Sequence, residues 1–312
     1  MTYVKYARLR QYWSTIGDLR LGIIANYMSI NRFETIKRYL HFQDSTKIPS
    51  DNKDRLIRLR PFLDLLHKTF HEARKPEESQ SIDEMMVPFK GRSSLKQYIK
   101  SKPKPWGFKI WVRAGVSGYV YCFEIFQGAN GGRIPPSKEY GAAGDVVLRL
   151  SHDIAGKNHK LYCDNLFTSI PLIEELKRQK IYFVGTIRSN RMLGASEKLK
   201  DAKSLLKEGR GSVSVTTSED NITVTRWVDK NIVHVVSSFA GVHPMDKAKR
   251  FSHATKSLVE IARPNSVRIY NLHMGGVDLM DSLVAHYRHS QRNKRWYMRI
   301  FYHLMNVAVV NA

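Results

Sequence analysis

Cysteine is almost missing from this chain: Cys122 and Cys163 are the only two in 312 residues. Two thiols cannot build the paired Cys-x-x-Cys modules that hold structural zinc, so no zinc is expected in this chain. Both lie in apolar, strand-like runs and read as small core residues, which suits a reducing compartment. The histidines are scattered, without the paired spacing of a zinc site. No apolar run approaches the length that spans a bilayer, and Met1-Thr2-Tyr3-Val4-Lys5 does not open a signal peptide. A soluble, intracellular protein without a membrane partner is expected. Acidic residues are scarce as well: 28 Asp and Glu stand against 51 Lys and Arg, a formal charge of +23. A surplus that large favours a polyanion partner, most often nucleic acid and less often an anionic membrane; no small-molecule substrate is expected.

Apolar residues make up 42% and aromatic residues 11% of the chain, ample for a packed interior. The length allows two or more domains, or one core domain with a large insertion. Residues 1–80 read as a helical lead-in. Ser29 is a plausible cap for a helix with Phe33, Ile36, Tyr39 and Leu40 on one face. A second helix runs from about Asp54, bent or restarted at Pro61. Residues 81–188 switch to an alternating pattern. Phe108, Ile110 and Val112 alternate with Lys109, Trp111 and Arg113, and Tyr119 to Phe126 returns across Ser117-Gly118 as a hairpin. Asp145 to Ile154 reads as helix, Lys160 to Cys163 as strand, Ser169 to Lys180 as a helix capped by Ser169, and Ile181 to Ile187 as strand. Residues 189–270 read as a β-rich insertion, with strands at 212–217, 221–227 and 232–237. Residues 271–312 return to helix, and Trp296 to Val310 is apolar nearly all round, so it is expected to be buried.

Acids stand out in three pointed contexts. Ser81-Ile82-Asp83-Glu84-Met85-Met86-Val87-Pro88-Phe89-Lys90-Gly91-Arg92 has the look of a buried strand that opens on an acid pair. A carboxylate in an apolar strand is costly unless compensated, and a salt-bridged structural aspartate is the plainer reading of this stretch alone. Tyr162-Cys163-Asp164-Asn165 places a second acid at the carboxyl end of a strand, where open α/β sheets place their ligand sites. Gly275-Gly276-Val277-Asp278 opens a helix on which Asp278 and Asp281, three apart, share a face. Separated carboxylates that a fold can gather are the raw material of a two-metal phosphoryl-transfer site.

Basic residues cluster near these acids. Lys90, Arg92, Lys96, Lys100, Lys102 and Lys104 follow Asp83 with no acid among them and with Tyr98, Pro103, Pro105 and Trp106 interleaved. Arg288, Arg292, Lys294 and Arg295 follow Asp281. Such runs are usually solvated faces; beside a candidate metal site in a +23 protein they read as phosphate-tracking segments.

The element order is strand acid, hairpin, helix, strand-end acid, helix, strand, insertion, helix acid. It is the order of an RNase H-like nuclease core. The chain resembles the piggyBac transposases and the piggyBac transposable element-derived proteins. Carrying the resemblance are Asn31-Arg32-Phe33-Glu34 through His41-Phe42, Asp54-Arg55-Leu56 through Pro61, and the Ser81–Arg92 run. Gln97-Tyr98-Ile99-Lys100-Ser101-Lys102-Pro103, Cys163-Asp164-Asn165-Leu166-Phe167-Thr168-Ser169 and Met274-Gly275-Gly276-Val277-Asp278 follow in family order.

The resemblance implies an α/β RNase H-like core of the DDD type, with Asp83, Asp164 and Asp278 as the triad and Asp281 as an additional metal-site acid. It implies two Mg²⁺ or Mn²⁺ ions, double-stranded DNA as partner, cut-and-paste transposition at TTAA sites and a nuclear location, with homodimer formation left open. Family members typically carry a longer N-terminal segment and a cysteine-rich zinc domain, neither of which is expected within these 312 residues. Leu272 and Ser282 replace polar residues expected beside the last acid. The rival expectation is a domesticated, catalytically silent DNA-binding or chromatin-associated protein.

Overall fold

A computed structural model of the chain describes residues 4, 6–100, 102–128, 137–253, 255–288 and 295–312. In chain order the strands are β1 (Ser79–Pro88), β2 (Gln97–Tyr98), β3 (Trp106–Gly115), β4 (Val120–Ile125), β5 (Lys160–Cys163) and β6 (Tyr182–Thr186), then β7 (Val213–Thr217), β8 (Thr223–Val228), β9 (Ile232–Ser237), β10 (Asp246–Ser252) and β11 (Ser257–Arg263). The helices are α1 (Gly22–Ala25), α2 (Ile30–Tyr39), α3 (Arg60–Ala73), α4 (Gly141–Ser151) and α5 (Ile170–Arg178), then α6 (Ala195–Lys198), α7 (Ala202–Lys207), α8 (Asn265–His273), α9 (Gly276–Tyr287) and α10 (Trp296–Asn311).

Strands β1, β3 and β4 form an antiparallel meander in which β3 is flanked by both others. The turn from β3 to β4 needs a left-handed residue, and Gly118 supplies it at φ +86°. β5 adds parallel to β1, and β6 parallel to β5. Parallel neighbours need crossover connections; α4 precedes β5, and α5 links β5 to β6. This is the RNase H-like arrangement expected from the element order. On the far edge β9 pairs antiparallel with β6, β8 with β9 and β7 with β8. The strands of the 189–270 segment thus continue the same sheet, while β10 and β11 form a hairpin of their own.

Alternate residues of the central strands bury into opposite layers. Met85, Val87, Ile110 and Val112 pack with α3, α9 and α10, whereas Ile82, Trp111, Leu161 and Cys163 pack with α4 and α5. At roughly 1.5–3 kcal/mol for each fully buried large apolar side chain, these two layers fix the register of the sheet.

Several local expectations change. β3 is covered on both faces, so the polar half of its alternation is not solvated. Arg113 is fully buried, bound to Gln80 Oε1 at 2.7 Å and to both oxygens of Asp153 at 2.6 Å. Lys109 pairs with Glu84 at 2.8 Å and lies over the Trp111 ring. α10 buries only one face, with Val309 60% exposed, because nothing among the described residues covers the other side. Cys163 is buried but Cys122 only half-buried. Ser29 caps α2 by accepting from the Arg32 amide, and Pro61 sits in the first turn of α3. Ser169 precedes α5 with extended backbone, yet its Oγ is buried without a partner and makes no cap bond. Helices α6, α7 and α8 and the β10–β11 hairpin have no counterpart in the sequence reading. α4 begins at Gly141, ahead of the expected start at Asp145, and residues 129–136 lie outside the described residues.

Candidate active site

In the parallel register of β1 and β5, Ile82 lies opposite Cys163, and both face α4 and α5. The next residue on each strand turns to the other face, so Asp83 and Asp164 stand side by side beneath α8 and α9. The Glu84 amide donates to Asp83 Oδ1 at 2.7 Å. Asp164 begins a tight turn: its Oδ1 accepts from the Leu166 amide at 2.8 Å, and its carbonyl accepts from Thr168 Oγ1 at 2.7 Å. Both carboxylates are thereby oriented by their own backbone.

Asp278 comes from the first turn of α9. That helix reaches the sheet through Gly276, where an added Cβ would lie 2.3 Å from the Gly115 carbonyl and 2.9 Å from Ser81 Oγ. Only glycine allows so close a seat on β1 and β3. Val277 and Met280 enter the core while Asp278 stays exposed on the side of Asp83.

The electrostatics bind these groups into one cluster. Burial first, and then the charges of Asp164 and Asp278, push Asp83 up to about 6, against the Glu84 amide and the Lys102 ammonium. Asp164 is also raised, by burial and then by the Glu84 charge, with the Leu166 amide and Arg188 opposing. Asp281 rises to about 6 through burial and the charge of Asp278, opposed by Lys102 and Arg288. Tyr270 of α8 is pushed up by burial and then by Asp164, Cys163 and Asp83.

An oxygen-only, mutually repulsive donor set suits hard divalent cations, which would relieve the repulsion. The set is open rather than a finished cage: among the described residues no three His, Cys, Asp or Glu side chains converge closely enough to hold an ion.

The basic residues divide into two groups. Lys90, Arg92, Lys100 and Lys104 are exposed. Lys96 and Lys102 are engaged: Lys96 Nζ donates to the Gly91 carbonyl at 3.0 Å and lies over the Trp106 ring. Lys102 Nζ donates to the Glu84 carbonyl at 3.2 Å, which places a cation against the acids. Arg288 is half-buried at the end of α9, and Arg295 is exposed and donates to the Arg38 carbonyl at 3.3 Å. Arg292 and Lys294 lie outside the described residues.

Sequence reasoning missed the clamp on the Asp164 turn. Arg191 Nη1 donates to the Leu166 carbonyl at 2.7 Å, with the Asn165 and Thr168 carbonyls at 3.3 and 3.4 Å. Arg188 Nε donates to Asn165 Oδ1 at 3.0 Å. The only hint in the sequence is two arginines just after β6, and nothing in their spacing tells which turn they grip.

The sequence model of the family described as Transposase IS4 matches residues 1–312. The chain belongs to that family, among its piggyBac-type members. It is similar to human PiggyBac transposable element-derived protein 3, with 33% identity over 316 residues, 99% of this chain and 52% of the relative. Human PiggyBac transposable element-derived protein 2 is 30% identical over 314 residues, with the same coverage. Among solved structures, a piggyBac transposase in a synaptic complex with hairpin DNA, seen by cryo-electron microscopy, superimposes with a TM-score of 0.78 at 26% identity. That match covers 97% of this chain and 61% of the piggyBac transposase chain. The chain spans about half the length of these human relatives.

Proposed function

We propose that this chain is the catalytic region of a piggyBac-type transposase, cleaving and joining strands of double-stranded DNA in a divalent-metal-dependent reaction. The observation that carries the proposal is the side-by-side placement of Asp83 and Asp164 with Asp278 above them. Asp83, Asp164 and Asp278 would hold Mg²⁺ or Mn²⁺, with Asp281 as a flanking acid. Two such ions, bound also by a DNA phosphate, would activate the attacking oxygen and stabilise the leaving one. The protein's own part is to present the carboxylates in fixed orientation, through the Glu84 and Leu166 amides and the Arg191 clamp. Lys102 balances the acids until the phosphate and its cations arrive. No Ser–His or Cys–His pair is needed. The finer reading, cut-and-paste transposition at TTAA sites in the nucleus, rests on the family membership.

The test is a supercoiled-plasmid nicking assay with and without Mg²⁺ or Mn²⁺. Wild type is expected to nick only with metal, and Asp164→Asn to lose nicking while remaining folded. An Asp164→Asn protein that fails to fold would assign Asp164 to structure instead.

A second reading, a catalytically silent DNA-binding protein, is favoured by the openness of the acid cluster. Wild type that binds duplex DNA yet never nicks, with either metal, would establish it.

A further inference from the structure

Next to the acids, beyond Asp281, the structure opens a cavity of ≈ 270 Å³ between β1, the Lys102–Lys104 segment, α9 and α10. Met86, Pro88, Pro103 and Val284 supply apolar lining, and Lys102, Lys104 and Arg288 bring three cations to it. Asp281 also lines this cavity and lies within reach of the Lys102 and Arg288 charges.

The arginines are the unusual feature. Arg288 is half-buried and makes no hydrogen bond or ion pair among the described residues. Arg299 stands behind the Pro88 wall, its Nε donating to the Pro88 carbonyl at 3.0 Å, and it meets no carboxylate within ion-pair distance among the described residues. Burial lowers the pKa of both, and the Arg288 charge adds to this at Arg299, which falls to about 10. His303 closes the floor, buried against the Met85 sulfur, and burial and the two arginines hold it neutral. Taking a guanidinium out of water without an anion is costly. Lys102 also faces Asp83, and among the described residues Asp281 is the one carboxylate lining the cavity, so two neighbouring guanidiniums and Lys104 leave room for one more negative group.

We propose that this cavity is a subsite for one phosphodiester of the DNA backbone, gripped by Arg288 with Lys102 and Lys104 and backed by the charge of Arg299. A guanidinium fork matches the phosphate oxygens, and the adjoining deoxyribose meets the apolar wall. The subsite rests on the reading of this chain as a DNA-acting protein, and it would set the position of the strand beside the aspartates.

Two measurements on the full chain test it. In the first, inorganic phosphate replaces chloride at constant ionic strength. It is expected to raise the unfolding temperature of wild type but not of Arg288→Gln, a substitution that breaks no bond among the described residues. In the second, a duplex carries one neutral methylphosphonate, walked along the backbone. Wild type is expected to lose roughly tenfold in affinity at one position, the value of a charge-assisted hydrogen bond. Arg288→Gln is expected to lose almost nothing there, and Lys104→Gln an intermediate amount.

A variant with the same position profile as wild type would overturn the proposal. So would phosphate protection with no matching backbone position, which would make the cavity a site for free anions. A position-specific penalty in a protein that never nicks would support the subsite while removing the catalytic reading.

Discussion

Asp83 and Asp164 occupy equivalent positions on neighbouring parallel strands, each one residue beyond the paired Ile82 and Cys163. Strand pairing alone therefore holds two carboxylates on one face. The repulsion between them is part of the folded state and is stabilising only for something positively charged that binds there.

Burial of these acids, with the repulsion added to it, has a signature in pH. Asp83 and Asp281 have folded-state values of about 6, above the ordinary carboxylate range. Between about pH 4 and 6 the folded protein therefore binds more protons than the unfolded chain, and these groups lose stability as pH rises through that window. Asp83→Asn removes one such group. In the absence of metal the variant should match wild type near pH 4 and exceed it above pH 6, by about 3 kcal/mol. Denaturant melts of both proteins across the range would check this; curves that stay parallel would show that neither burial nor neighbouring acids raise Asp83. With saturating Mg²⁺ the order at pH 7 should reverse, since only wild type gains the binding energy.

Gly276→Ala tests the seat of α9. A Cβ at 2.3 Å from a backbone carbonyl cannot be absorbed by side-chain movement, so the helix start must lift. Overpacking of this kind costs about 1–3 kcal/mol or more. The expected result is a lower unfolding temperature together with a fall in metal-dependent nicking that persists at temperatures where the variant is fully folded. Unchanged nicking would mean that Asp278 does not need this seat.

Arg191→Met should separate positioning from binding. The variant loses the clamp on the Asp164 turn but no DNA-facing charge near the basic segments. Nicking should slow by roughly 10–100-fold, the scale on which misplacing a reacting group acts, while the Kd for duplex DNA stays near that of wild type. A weakened Kd with unchanged rate would instead make Arg191 a DNA-binding residue.

For generic DNA affinity the exposed cations matter. Replacing Lys90, Lys100 and Lys104 together by Ala should weaken binding to unrelated duplexes about equally. The plot of log K against log salt concentration should flatten by up to ~0.9 for each phosphate that is no longer neutralised. Lys102 is left out because it serves the Glu84 carbonyl. An unchanged slope would identify the three lysines as a solvated face.

Much of the frame was legible in the sequence because its signals are local. An apolar strand opening on an acid pair marked β1, a short apolar run ending in an acid marked β5, and Ser29, Pro61 and the Gly118 turn punctuate as their chemistry requires. The sharing of a helical face by Asp278 and Asp281 follows from spacing alone. What was not legible depends on partners distant in the chain. Arg113 reads as the polar half of an alternating strand, and only the positions of Asp153 and Gln80 show why it can be buried. Ser169 reads as a cap, but its hydroxyl makes no bond. Helix α8 is short, lacks a side-chain cap at Pro264, and draws its stability from packing under β6 and β9. Arg191 and Lys102 look like ordinary basic residues until the turn and the acids they serve are placed beside them.

The antiparallel join between β6 and β9 carries a consequence for how this protein can change over time. Without β9, the outer side of β6 would be a bare strand edge, the kind of surface on which chains pair with one another and aggregate. β7, β8 and β9 act as a lateral shield for the strand next to the one that bears Asp164. Loss of that segment by deletion would therefore do more than trim an accessory part: it would expose a sticky edge one strand from the aspartates. A lineage that keeps this fold soluble, whether or not it keeps the chemistry, is under pressure to retain those three strands.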